Sequence, residues 1–111
     1  MVKLPNRASA VVDIRKLRDY CLSPHHPRGG HKARVFDSVL GLTADDAENL
    51  REMLLSAALS DEATPAESDE YGERYMLDFV VTTKVGEATV RSGWIVRRGE
   101  EFPRLTSCWI A

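Results

Sequence analysis

From residue 73 onward the chain is cut by two glycine turns, at Val85-Gly86 and at Gly99, into three stretches over residues 73–82, 88–97 and 104–110 that read as β-strands. No other feature narrows the fold as much. Consecutive strands with such short connections pair antiparallel, because a parallel return needs a crossover of a dozen or more residues. Side chains alternate across a sheet. On the second stretch Val90, Ser92, Trp94 and Val96 share one side, and Arg91, Ile95 and Arg97 share the other. On the third, alternation places Arg104, Thr106 and Cys108 opposite Leu105, Ser107 and Trp109. One side must cover an apolar layer, and alternation alone leaves open which.

The first half supplies that layer. Asp13 is placed to N-cap a short helix through Ile14, Leu17 and Tyr20 or Cys21, which Ser23-Pro24 stops. A loop follows, and then a second helix over about 31–40, with Ala33, Val35, Phe36, Val39 and Leu40 on its apolar side and Gly41 at the C-terminal cap. Thr43-Ala-Asp-Asp46 resembles a capping box and opens a third helix to about residue 59, with Ala47, Leu50, Met53, Leu54 and Ala57 as its buried stripe. Residues 4–12 are expected as an extended lead-in and residues 60–70 as a polar connector. The fold class is therefore α+β: about three N-terminal helices packed on an antiparallel sheet of at least three strands. The 111 residues suit one domain over 1–111, large enough to bury a core without a staple.

Charge narrows the partners. Fifteen basic and seventeen acidic residues give a net charge of -2. That total argues against a protein that coats DNA, but a local basic patch still serves a nucleic-acid enzyme. Residues 45–73 are acid-rich and residues 91–104 base-rich. Cys21 and Cys108 have no metal-type spacing and read as free buried thiols of a reducing compartment. No apolar run reaches the ~18 residues of a membrane span, and the N-terminus shows no signal region, so a cytoplasmic protein without a membrane contact is expected.

Every histidine lies in the loop His25-His26-Pro27-Arg28-Gly29-Gly30-His31-Lys32, which leads into the second helix. Amides at a helix start attract anions, and Gly29 and Gly30 would let a phosphate approach. His31 or His26 supplies a group that exchanges protons near neutrality, and Lys32 and Arg28 neutralise phosphate charge. Arg91 on the second strand reads as a phosphate clamp, with Arg104 beside it, and Thr106 or Ser107 as a hydroxyl donor. General base, general acid and cation are what RNA cleavage through its own 2′-hydroxyl requires, with neither metal nor cofactor. Each residue also has an ordinary alternative: a surface loop, a solvated sheet face, or core packing for Trp94 and Trp109.

Several segments resemble a family of small bacterial domains. They are a Leu-Pro-x-x-x-x-Ala lead-in (Leu4-Pro5 to Ala10), a Lys-Leu-x-x-Tyr-x-Leu helix (Lys16 to Leu22) and a His-Pro-x-Gly-x-x-Lys-Ala segment (His26 to Ala33). A Val-Arg-x-x-Trp-Ile strand (Val90 to Ile95) and a Pro-Arg-Leu-x-Thr type strand (Pro103 to Ser107) complete them. Such domains are toxin-like and look similar to the barnase–EndoU–colicin–RelE superfamily of metal-independent ribonucleases. The resemblance implies an RNA substrate and a small antitoxin or immunity protein as partner. The family often ends Val-Thr-Ala-Tyr-Pro, whereas here Thr106-Ser107-Cys108-Trp109-Ile110 stands. The expected catalytic set is His31, His26, Lys32, Arg91 and Thr106, with Arg28, Gly29, Gly30 and Arg104 binding substrate. The rival expectations are a non-enzymatic antitoxin, immunity or adaptor protein, and a structural domain without chemistry.

Overall fold

A computed structural model describes residues 2–111. Three helices pack on one face of a five-stranded sheet whose strands lie in the order β1-β2-β3-β4-β5, every pair antiparallel. The strands are β1 (Val2–Lys3), β2 (Glu62–Pro65), β3 (Gly72–Thr82), β4 (Glu87–Arg97) and β5 (Pro103–Ile110). The α+β class and its helix-before-sheet order are as expected. The sheet is wider than the three long strands, because the connector expected over 60–70 contains β2. That segment, Glu-Ala-Thr-Pro, has no apolar alternation. It becomes a strand through its neighbours: Val2 pairs with Ala63 on one side, and Met76 with Thr64 on the other.

Helix α1 begins at Ile14–Lys16 and finishes in a wider π turn over Leu17–Cys21. Its N-cap is Asp13, whose carboxylate accepts from the Arg15 N–H. Helix α2 runs Gly30–Val35, again closes as a π turn over Phe36–Leu40, and ends on Gly41 in the left-handed region at φ 68°. Helix α3, Ala47–Ser60, follows a 3₁₀ turn capped by Thr43 and Asp46: the Thr43 N–H donates to the Asp46 carboxylate at 2.9 Å. All three expected caps, Asp13, Gly41 and the Thr43–Asp46 box, are present.

The core lies between helices and sheet. Leu17, Cys21, Leu22, Phe36, Leu40, Leu50, Leu54 and Ala58 meet Leu77, Val81, Val90, Trp94, Leu105 and Cys108, all buried. Face assignment on β4 is thereby resolved: Val90, Ser92 and Trp94 point inward, and Arg91 points to the outward face. β5 departs from simple alternation. Gly93 pairs with Ser107 but Trp94 with Leu105, so Thr106 is an extra residue, a β-bulge. The bulge shifts the alternation by one. Leu105 and Cys108 both face the core, while Arg104, Thr106 and Trp109 align with the outward residues of β4. The expected grouping of Thr106 with Cys108 is therefore corrected. Both cysteines are free and buried.

The lead-in does more than lead in. After β1 it passes through a 3₁₀ turn at Arg7–Ser9 and reaches the opposite edge of the sheet. There the Val11 N–H donates to the Pro103 carbonyl at 2.9 Å, and the Val11 carbonyl accepts from Leu105 at 3.0 Å.

Candidate functional site

The outward sheet face carries Arg91 and Thr106 among the singled-out residues. Arg91 sits on β4 directly between Asp78 of β3 and Trp109 of β5. Its Nε and Nη2 donate to the two Asp78 carboxylate oxygens, each at 3.0 Å, in a forked pair. Both side chains are more than two-fifths exposed, so the pair adds little to stability. It does fix the direction of the guanidinium. The carboxylate beside it also raises the Arg91 pKa further above its ordinary value. Arg91, Asp78, Met76, Thr64 and Glu62 line a shallow depression.

Trp109 joins Arg91 to the helices. The Lys32 ammonium lies 4.5 Å from the centre of the Trp109 ring, a cation–π contact. Lys32 and Arg91 come from segments nearly sixty residues apart, and Trp109 touches the first with its ring and pairs with the second along the strand. Thr106 belongs to the same face. A Cβ built on Gly93 would lie 2.8 Å from the Thr106 Oγ1, so the bulge seats this hydroxyl close over the glycine, where any larger residue would displace it. The Ser107 hydroxyl goes elsewhere, to within 3.9 Å of the buried Cys21 Sγ. The open choice between Thr106 and Ser107 thus resolves, for the outward face, to Thr106.

The loop residues divide. His31 is exposed at the start of α2, one residue before Lys32, with no hydrogen-bond partner among the described residues. His26 is half-buried and has a structural task. Its Nδ1 accepts from the Arg28 and Gly29 amides, each at 3.0 Å, and its ring stacks on Tyr20 with centroids 4.5 Å apart. It therefore caps the turn that starts α2. Gly29 and Gly30 are buried, and a Cβ on either would lie 2.7 Å from a carbonyl, that of Tyr20 or of Pro24. Close packing of the loop on α1 demands these glycines. Arg28 is exposed at the loop tip. Arg104 is forked onto Glu100 at 2.9 Å, with its guanidinium 5.0 Å from the Phe102 ring centre. It flanks Ile95 on the outward face, opposite Arg74, and Ile95 is buried in that row.

Arg91 and Thr106 thus lie on the outward side of the sheet, and Lys32 of α2 reaches the Trp109 ring. His26, Gly29 and Gly30 shape the loop, and Arg28 and Arg104 lie on its tip and on the far row. Two site residues escape sequence reasoning, Asp78 and Trp109. Asp78 pairs with Arg91 because the turn spans residues 83–86; a turn centred on Val85-Gly86, as the sequence suggests, would set it opposite Gly93 instead. Trp109 escapes because the bulge moves it to the other face.

Among curated proteins none matches the sequence. In fold, the chain is similar to a chain of the contact-dependent growth inhibition toxin–immunity protein complex from Klebsiella pneumoniae 342. The TM-score is 0.71 at 17% identity, over 94% of this chain and 95% of that one. Among the described residues no helix is long and apolar enough to cross a membrane. By sequence, residues 3–111 match the family described as domain of unknown function DUF6883, and the chain belongs to that family.

Proposed function

We propose that this domain is a toxin-type endoribonuclease that cleaves RNA by acid–base chemistry on the outward sheet face. The observation that carries the reading is the cation–π contact of Lys32 with Trp109, the residue of β5 that pairs with Arg91 of β4. An indole offers a stacking surface for a base, and the two cations suit the phosphate beside it. The fork to Asp78 uses the Nε and Nη2 of Arg91 and leaves Nη1 for a phosphate oxygen. In the reaction the 2′-hydroxyl attacks phosphorus, its proton passes to a base, and the 5′-oxygen leaves with a proton from an acid. His31 exchanges the proton, Lys32 and Arg91 stabilise charge on the phosphorane oxygens, and Thr106 orients the phosphate. The fold it shares with a chain of a toxin–immunity complex agrees with a toxin that a small immunity or antitoxin protein restrains.

A second reading, a non-enzymatic antitoxin or immunity protein, has one observation in its favour. Arg74, Arg91 and Arg104 each pair with a carboxylate, Asp69, Asp78 and Glu100, which lowers the positive potential of the face.

Induced expression in bacteria, with growth and total RNA integrity read together, decides between them. The expected result is growth arrest with fragmented RNA for the wild type, and relief by His31→Ala, Lys32→Ala and Arg91→Ala. Purified Arg91→Ala should cleave about 10²-fold more slowly. Harmless expression of soluble wild type with intact RNA overturns the ribonuclease and favours the partner-binding protein.

A further inference from the structure

β3 is paired unequally. On the β4 side it is matched from Gly72 to Thr82. On the β2 side its register extends only over Thr64–Met76 and Pro65–Tyr75, because β2 then turns to β1. The direction of the unmatched groups follows from the bonds at the other end of the strand. Gly72 exchanges hydrogen bonds with Asp69, and the Arg74 carbonyl accepts from Ala66, so even-numbered residues turn their backbone groups away from β4. The odd-numbered Tyr71 and Thr83 bond towards β4 and its turn, as this parity requires. The β3–β4 register has no shift, so Val80 and Thr82 also point away from β4.

That edge borders a groove between β3 and α3. Phe79, Val80, Val81 and Thr82 form one wall, and Glu52, Met53 and Ala57 contribute to the other. Val80 is 63% exposed. Residues 77–82, Leu-Asp-Phe-Val-Val-Thr, contain no lysine and no proline, the usual guards of a free edge. An unguarded edge with apolar neighbours is a pairing template.

We propose that this edge docks a protein partner that contributes one extended strand carrying lysine or arginine. Extension follows from the backbone geometry, since only a strand matches donors and acceptors at a two-residue repeat. The charge follows from the groove, which is lined by Glu52 and Asp61 and, among the described residues, by no lysine or arginine. The same charge disfavours a second copy, which would set acidic rims against each other. The added strand would bring apolar side chains to Phe79 and Met53 and basic ones within reach of Glu52 and Asp61. The proposal concerns a protein partner and stands whether or not the domain cleaves RNA.

Amide exchange by NMR on the ¹⁵N-labelled full chain tests it, with a capped Lys-Val-Lys-Val-Lys-Val peptide as probe. In the free protein the Val80 and Thr82 amides should exchange at least about tenfold faster than those of Phe79 and Val81. Saturating peptide should slow them about tenfold, and Val80→Pro, which removes an outward N–H without touching the β4 ladder, should weaken binding about tenfold. The same peptide N-methylated at alternate residues keeps the side chains and loses donors, so it should not protect these amides even if Val80→Pro perturbs folding. Val80 and Thr82 amides already slow in dilute free protein overturn the proposal. So does a peptide that fails to bind, binds elsewhere, or binds equally when methylated. Protection that grows with protein concentration alone overturns it in favour of a second copy.

Discussion

Ser92 is the one polar side chain wholly buried among the described residues, and it holds the sheet to its central aromatic. Its hydroxyl donates to the Leu77 carbonyl at 2.8 Å and accepts from the Trp94 indole N–H at 2.9 Å. Ser92→Ala leaves a buried indole N–H unpaired, so we expect a loss of about 1–3 kcal/mol, measured by urea unfolding. Arg91→Ala should behave oppositely. The Arg91–Asp78 pair is exposed, so its removal should leave the unfolding midpoint nearly unmoved while slowing cleavage about 10²-fold. That contrast separates a residue that builds the sheet from one that the proposed chemistry uses. The two are adjacent in sequence and differ only in which way the strand turns them.

At the scale of elements, caps and turns decide where each segment starts. Asp13 caps α1 and also forks onto Arg15, whose guanidinium, together with its backbone N–H, holds the carboxyl down at about 2. A depressed acid stabilises the folded state above its unfolded pKa, and that stability is lost as pH falls through the folded value. Thermal midpoints of wild type and Asp13→Asn should therefore differ above about pH 4 and converge towards pH 2. The elements set by local rules were legible in the sequence: α3 from its stripe and cap, α1 from Asp13, and the β3–β4 hairpin from alternation and Gly86. The elements set by distant neighbours were not. β2 is a strand because β1 and β3 flank it, and the π turns that end α1 and α2 have no local signature. The candidate site divides the same way. Arg91, Lys32 and Thr106 stand out by chemistry, but the outward placement of Thr106 and Trp109 depends on the bulge at Thr106, which no alternation pattern announces. His26 stood out for its acid–base chemistry, and the fold uses its Nδ1 to receive two amides.

At the scale of the whole molecule, residues 2–11 run from one edge of the sheet to the other. Val2 pairs beyond β2, Asn6 donates to the Glu101 carbonyl, and Val11 bonds alongside β5. This belt closes both margins of the sheet. Val11→Pro deletes the N–H that reaches Pro103, and should cost about 1 kcal/mol, a fall of several degrees in the thermal midpoint followed by circular dichroism. The belt also sets a timetable. Its two clasps lie at residues 62–63 and 103–105, so on the ribosome the first can close only past the middle of the domain and the second only when β5 has been made. Contacts of such long sequence separation form late. Trp109, on which Lys32 rests, is made later still. A partly synthesised domain therefore lacks both the fastened sheet and the completed face, which waits for its last strand.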